Sequence, residues 1–295
     1  MRQATRIERV WGIYRSFWDY VEVLKPRETA LLSFIGACSA IIAGRGHPPL
    51  GLALVALLAV ALGSAGTNGL TNYLDRRVDA RMQRTRQRAL PSARIRPAEK
   101  VLPLLGALLF GALALAWMLH PLCFAFGMMG LVSATIGRKS GFTHLLGGIS
   151  GCAPVLVGYL AIAPQLDWTI AWLCVLTAVW VPLHVWSVMA AYREDYLQAG
   201  VSIFPVTWQP RTVLRVLFSL SVLVYGVSLV LWHSGGLSWL YFGAANFLGL
   251  MVVRGGCRLL ASSDSSAAWR LYKLSSYPYL GLVFLTLCVD MWILG

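Results

Sequence analysis

The sequence predicts an all-α integral membrane protein with nine transmembrane helices and a cytoplasmic N-terminus. Three observations carry that prediction. Hydrophobic residues make up 58% of the 295-residue chain and charged residues only 13%, against about 45–50% and about 25% in soluble domains, which excludes a soluble globule. Apolar runs of spanning length recur along the chain. The cations behind the net charge of +13 fall almost entirely on one side of those runs. A basic chain first points to nucleic acid. So few charges on so apolar a chain point instead to the lipid bilayer as partner, with no nucleic acid.

The first residues are charged and lack the apolar core and small-residue cleavage site of a secretory signal. Trp11, Tyr14, Trp18, Val21 and Leu24 recur at helical spacing between Arg9, Arg15, Asp19 and Glu22, the pattern of an amphipathic helix on a membrane surface. Residues 1–27 therefore read as a cytoplasmic amphipathic segment and 28–295 as one transmembrane domain. The runs lie at 28–44, 50–73, 101–119, 121–137, 143–163, 168–190, 213–232, 237–253 and 277–294, each near the length of about 20 residues that crosses a bilayer. His120–Pro121 turns the third run into the fourth as a tight hairpin. With the N-terminus inside, every one of the 25 Lys and Arg residues except Arg45 falls on an inner segment. That bias orients the chain in the cell membrane, and the long inner connections put function on the cytoplasmic face. Cys38, Cys123, Cys152, Cys174 and Cys288 sit inside apolar runs and Cys257 beside one, without metal-type spacing; they read as small hydrophobes.

Two acidic motifs stand at the inner ends of runs two and six. In the first, Asn68, Asn72, Asp75 and Asp79 fall at i, i+4, i+7 and i+11, one face of a helix. Carboxylates one turn apart can share a divalent cation. Arg81, Arg84, Arg86 and Arg88 follow at once, and guanidiniums suit anionic oxygens. Carboxylates for a metal, an amide and an arginine cluster together describe a diphosphate cradle. The second motif is Tyr192-Arg-Glu-Asp-Tyr196, with Glu194 and Asp195 on the same inner face.

These residues resemble the UbiA superfamily of intramembrane prenyltransferases. The resemblance runs through Lys25-Pro26-Arg27, the first motif as far as Leu90-Pro91-Ser92, and the second motif. Within the superfamily, Pro182-Leu-His-Val-Trp186, Gly147-Gly148-Ile-Ser-Gly-Cys-Ala-Pro154 and Tyr192 to Val206 are most similar to the heme O synthase group of protoheme IX farnesyltransferases. Thr71 stands where the family usually has its first Asn, Ala89 where it has Pro after the arginine motif, and Ser202 where it has Pro. Asn72 or Asn68 is then left to supply the amide.

The resemblance implies nine helices around a chamber open laterally to lipid. It implies Mg²⁺ as cofactor, held by Asp75 and Asp79 with Asn72 assisting, and by Asp195 with Glu194 as a weaker partner. Arg84 and Arg88 would grip the diphosphate, with Lys25, Arg138 and Tyr192 as further contacts. The substrates implied are farnesyl diphosphate and heme b, with transfer to a heme vinyl group and addition of water to give heme O. Contact with heme A synthase or oxidase assembly factors would follow. His184, in the Pro-x-His-x-Trp pattern, and His144 are the candidate heme contacts. Tyr73, Trp180 and Trp186 are candidates to face an allylic cation.

Two other readings bear on the same residues. Another UbiA-type transferase, acting on a quinone precursor or lipid, would share the acidic motifs and differ on the acceptor side. A polytopic transporter would place charges at mid-bilayer in broken helices, whereas here ionisable residues cluster at the inner rim.

Overall fold

The computed structural model describes the backbone of residues 6–136 and 143–294, and the side chains of 14–136 and 146–294. Among the described residues every regular element is helical and no β-strand occurs.

Helix α1 (Arg6–Val23) presents Tyr14, Phe17 and Trp18 as an exposed aromatic face, the last two half or more exposed at 60% and 50%. Such a face suits an interfacial helix. Lys25 adopts a left-handed conformation (φ 49°) and turns the chain into α2 (Pro26–Ala43). Pro26 opens that helix, where its missing N–H costs nothing. Helix α3 (Leu50–Asp79) has 30 residues. At about 1.5 Å per residue it outruns a hydrocarbon core of about 30 Å. Its last turns, which carry the first acidic motif, therefore project past the apolar length while staying helical.

A 3₁₀ turn (Ala98–Val101) leads into α4 (Leu102–Leu119). The ring of His120 then accepts the Leu122 N–H at 3.1 Å and starts α5 (Pro121–Thr135), as the hairpin reading expected. Helix α6 (Thr143–Leu160) is joined to α7 (Trp168–Ala191) by a turn that Asp167 closes. Its carboxylate accepts the Ile170 N–H at 3.0 Å and the Tyr159 hydroxyl at 2.6 Å. A short α8 (Arg193–Gln198) precedes α9 (Pro210–Ser234) and α10 (Trp239–Ser262). The wholly buried carboxylate of Asp290 accepts the Ser238 N–H at 2.9 Å, closing the turn between them. Helix α11 (Ser265–Leu274), capped by Asp264, runs through a π-helical turn around Pro278 (Ser275–Gly281) into α12 (Leu282–Leu294).

Six helical stretches are long and apolar enough to cross a membrane: Leu50–Asp79, Ala98–Leu119, Trp168–Ala191, Pro210–Ser234, Trp239–Ser262 and Ser265–Leu294. The expected runs at 28–44, 121–137 and 143–163 coincide with the shorter α2, α5 and α6. Buried hydroxyls inside the bundle do not seek water. Ser39, Thr177, Ser187 and Ser221 each donate to the carbonyl four residues back, which satisfies a polar group in an apolar interior. Helices α2 and α6 cross at glycines: a Cβ on Gly158 would stand 2.0 Å from the Gly36 carbonyl oxygen. Helix α3 packs against α2, α4, α5 and α6, so the C-terminal end of α3 becomes one rim of a cavity.

Candidate active site

The cavity measures about 500 Å³, with charged and amide residues from the C-terminal turns of α3 and the loop after it, and mostly apolar walls elsewhere. Lys25, Asn68, Asn72, Asp75, Asp79, Arg84, Arg88 and Tyr196 line the polar part. Small and branched residues of α3 to α7, among them Ala59, Ala112, Gly127 and Val157, line the remainder. The helical spacing read from the sequence thus brings both carboxylates and both amides of the first motif to one wall.

Hydrogen bonds from the two amides hold this wall. The Asn72 Nδ2 donates to the Val23 carbonyl at 2.7 Å, and the Asn68 Nδ2 donates to the Thr29 hydroxyl at 3.1 Å. That hydroxyl donates in turn to the Leu24 carbonyl at 2.8 Å. The turn between α1 and α2 is tied to α3 in this way, and Lys25 is set at the cavity. With their N–H groups engaged, the amides leave their carbonyl oxygens as the groups available to a cation. Thr71 has no amide to offer; its hydroxyl bonds back to the Asn68 carbonyl at 2.9 Å.

The loop after α3 brings Arg84 and Arg88 to the same cavity. Buried Met82 anchors the loop in a small core with Met189, Val201 and Val206. The Thr85 hydroxyl donates to the Asp79 backbone carbonyl at 2.9 Å. Arg88 Nη1 reaches within 3.9 Å of the Asp79 carboxylate, and Arg84 Nη2 donates to the Tyr196 hydroxyl at 3.3 Å. Burial pushes the Tyr196 phenol above its ordinary range, while the Arg84 guanidinium pulls the other way. A neutral phenol beside two guanidiniums leaves the positive field of the cradle intact.

The second acidic motif occupies the far side of Arg84. Buried Asp195 accepts the backbone N–H of Gln83 at 2.6 Å and that of Arg84 at 3.1 Å. Glu194 is exposed, and with Tyr192 and Asp195 it lines a separate cavity of about 740 Å³. Tyr192 reaches the first cavity only through Arg84, whose guanidinium carbon lies 5.2 Å from the centre of its ring. The reason is local: α7 ends at Tyr192, the chain turns into α8, and the turn aims Asp195 at the loop backbone.

His184 lies one ring behind the cavity wall. It stacks on Trp180 at 4.7 Å and meets Tyr272 at 4.4 Å, and its Nδ1 is 3.1 Å from the Ser275 hydroxyl. Of the three aromatic candidates, Trp180 lines the cavity. Tyr73 instead carries Arg76 over its ring at 3.9 Å, and Trp186 packs edge-on against Phe204 at 4.5 Å. Arg138 and the side chain of His144 lie outside the described residues.

Sequence reasoning did not find Gln83, Met82 or Thr85, which shape the arginine loop. The partners of Met82 and Gln83 lie in α7, α8 and the segment after it, where no local pattern signals the pairing, whereas Thr85 bonds back to Asp79 only six residues earlier.

Two carboxylates, two amide oxygens and a set of guanidiniums in a cavity with apolar walls suit a ligand with an anionic head and a long hydrocarbon tail. The chain belongs to the UbiA prenyltransferase family, whose model matches residues 30–277. Over most of its length it is similar to proteins named protoheme IX farnesyltransferase. It is 36% identical to one from Desulforudis audaxviator, covering 93% of this chain and 88% of that one. It is 35% identical to another from Gloeobacter violaceus, covering 92% and 91%. Among solved structures it is similar to one described as digeranylgeranylglyceryl phosphate synthase, with a TM-score of 0.75 at 16% identity over 95% of this chain and 99% of that one. A UbiA homolog from Archaeoglobus fulgidus, bound to GPP and Mg²⁺, superposes with a TM-score of 0.65 at 12% identity over 92% and 99%. At those identities the structures establish the fold.

Proposed function

We propose that this chain transfers the farnesyl group of farnesyl diphosphate to a vinyl group of heme b, with addition of water, giving heme O. The observation that carries the reading is the cavity that joins carboxylates, amides and arginines to apolar walls. The acceptor rests on the relatives, which are named protoheme IX farnesyltransferases.

Asp75 and Asp79, with an oxygen from Asn72 or Asn68, would hold Mg²⁺. Among the described residues no cluster of three or more His, Cys, Asp or Glu side chains could hold a metal. The set therefore fits an ion that keeps water and takes substrate phosphate oxygens, as Mg²⁺ commonly does. When bound, the ion neutralises charge on the diphosphate. Arg84 and Arg88 fork onto the remaining oxygens, and Lys25 adds a compact charge. These groups stabilise the negative charge that grows on the leaving group as the allylic C–O bond breaks. Asp195 holds the arginine loop in place through its two backbone N–H bonds.

Trp180, which lines the cavity, would stabilise the allylic cation, and the apolar walls would keep water from it. The vinyl π pair forms the new C–C bond to the farnesyl carbon. Water then adds to the cation left beside the porphyrin ring and releases a proton to solvent. No Ser–His or Cys–His nucleophile is required.

Counted as spans, α2, α5 and α6 join the six longer stretches to make nine. The concentration of Lys and Arg at the cavity end supports a cytoplasmic N-terminus and a site on the cytoplasmic side. Residues 1–27 then form an interfacial segment and 28–295 a single transmembrane domain. His184 belongs to the acceptor side, acting through Trp180.

The test is to express the chain in a membrane host, extract the hemes and weigh them. A heme b species heavier by a hydroxyfarnesyl group is expected. Its absence with good expression, together with a prenylated quinone precursor, would move the acceptor to the quinone class.

A further inference from the structure

An unbroken column of rings runs from the cavity wall at Trp180 to Tyr192, whose ring meets Arg84, a residue that lines the same cavity. Trp180 lines its wall and stacks on His184 at 4.7 Å; His184 meets Tyr272 of α11 at 4.4 Å. Tyr272 stacks on Trp269 at 4.9 Å with 20° between their planes. Trp269 meets Tyr192 at 5.5 Å and 80°, an edge-to-face contact. Tyr192 turns its ring to the Arg84 guanidinium at 5.2 Å, and Arg84 lines the same cavity. Both ends are anchored by hydrogen bonds as well. The Trp180 indole N–H and the His184 ring both engage Ser275, at the start of the π-helical turn. Arg84 is held through its backbone by Asp195 and through its side chain by Tyr196.

We infer that Trp269 is a positioning residue for Arg84: it fixes the ring of Tyr192, and the face of that ring holds the guanidinium in the direction of the diphosphate. Trp269 itself lines neither cavity, so it acts only through its neighbours. The physical need is plain. An arginine side chain has many rotamers, and a cradle that must meet the leaving group without rearrangement gains from one of them being fixed beforehand. The negative face of an aromatic ring is a suitable support, because it attracts the cation without neutralising it as a carboxylate would. Edge-to-face contact from Trp269 in turn sets the tilt of that ring.

The inference rests on the diphosphate reading of the cavity, and its test separates the two. The probe is the farnesyl thiodiphosphate analogue with Mg²⁺, which does not react, and binding is measured on the full chain in detergent. Trp269→Leu keeps an apolar side chain and removes the aromatic contact; its affinity is expected to fall by about 3- to 30-fold, the range of one such cation–π contact. Trp269→Phe is expected to bind within about two-fold of the wild type. In an Arg84→Gln background, Trp269→Leu is expected to have no further effect, which a residue of merely structural importance would not show. Should Trp269→Leu fail to fold, Tyr192→Leu takes its place in the same cycle. Wild-type affinity in the leucine variant, or an equal loss in the Arg84→Gln background, overturns the inference alone. A wild-type chain that does not bind the probe overturns the diphosphate reading and this inference with it.

Discussion

The carboxylate of Asp195 accepts the backbone N–H of Arg84 at 3.1 Å across a separation of 111 residues, and that of its neighbour Gln83 at 2.6 Å. The two acidic motifs are therefore not symmetric. The first lines the cavity with its side chains. The second braces the loop that carries the arginines.

Replacing Asp195 tests this brace. An Asn there keeps one acceptor oxygen and sets an NH₂ group where the second N–H was received. Each bond to a charged acceptor contributes about 1.5–3 kcal/mol, so Asp195→Asn is expected to lower unfolding stability by about 1–3 kcal/mol. Affinity for the Mg²⁺-bound farnesyl thiodiphosphate should drop in parallel. Calorimetry and titration of the detergent-purified chain read both. Unchanged values in each would remove Asp195 from the positioning of Arg84.

Asp75→Asn is expected to behave differently. Asp75 is half-buried on the cavity wall, and the change is nearly isosteric. Turnover to the hydroxyfarnesyl heme should disappear while the thermal midpoint stays within a few degrees of the wild type. Full product formation in that variant, measured by mass spectrometry of extracted hemes, would count against the metal-held diphosphate.

A structural counterpart lies far from the chemistry. Gly158 on α6 packs so closely on Gly36 that a Cβ would stand 2.0 Å from a backbone oxygen. Backbone cannot move aside as a flexible side chain can. Gly158→Ala should cost at least the about 1–3 kcal/mol of an overpacked core, seen as a lower melting temperature and reduced yield of folded chain. An unaltered melting temperature would show that α2 and α6 separate more easily than this contact implies.

Tyr196 makes a pH prediction. Burial raises its phenol above the ordinary value, so its contribution to stability is complete below about pH 10, the usual tyrosine range. That contribution is lost as pH rises through the raised folded-state value. Stability measured from neutral pH upward should therefore fall more steeply at the alkaline end in the wild type than in Tyr196→Phe. Parallel curves would mean that Tyr196 titrates like a solvated tyrosine.

Much of this architecture was legible in the chain itself. Composition and apolar runs determine a membrane-embedded helical protein, because a bilayer leaves few ways to satisfy a backbone. His120, Asp167 and Ser238 cap helices within a few residues of themselves, so local pattern suffices for them. The face formed by Asn68, Asn72, Asp75 and Asp79 follows from helical spacing alone, because α3 stays regular to Asp79. The family was legible for the same reason: its motifs are contiguous.

Tertiary structure decided the rest. Spacing cannot tell that Asp195 meets Gln83, that Tyr73 turns to Arg76 instead of the cavity, or that His184 sits behind Trp180. Each depends on which helices pack together and at what rotation. The column from Trp180 to Arg84 draws on α7, α11 and the loop after α3. The sequence by itself determined the helices, their caps and the one helix face that carries the carboxylates, since these are set by neighbours along the chain. Only the packed bundle decided how Arg84 is held, because its backbone N–H meets the Asp195 carboxylate and its guanidinium the Tyr196 hydroxyl, both more than a hundred residues later.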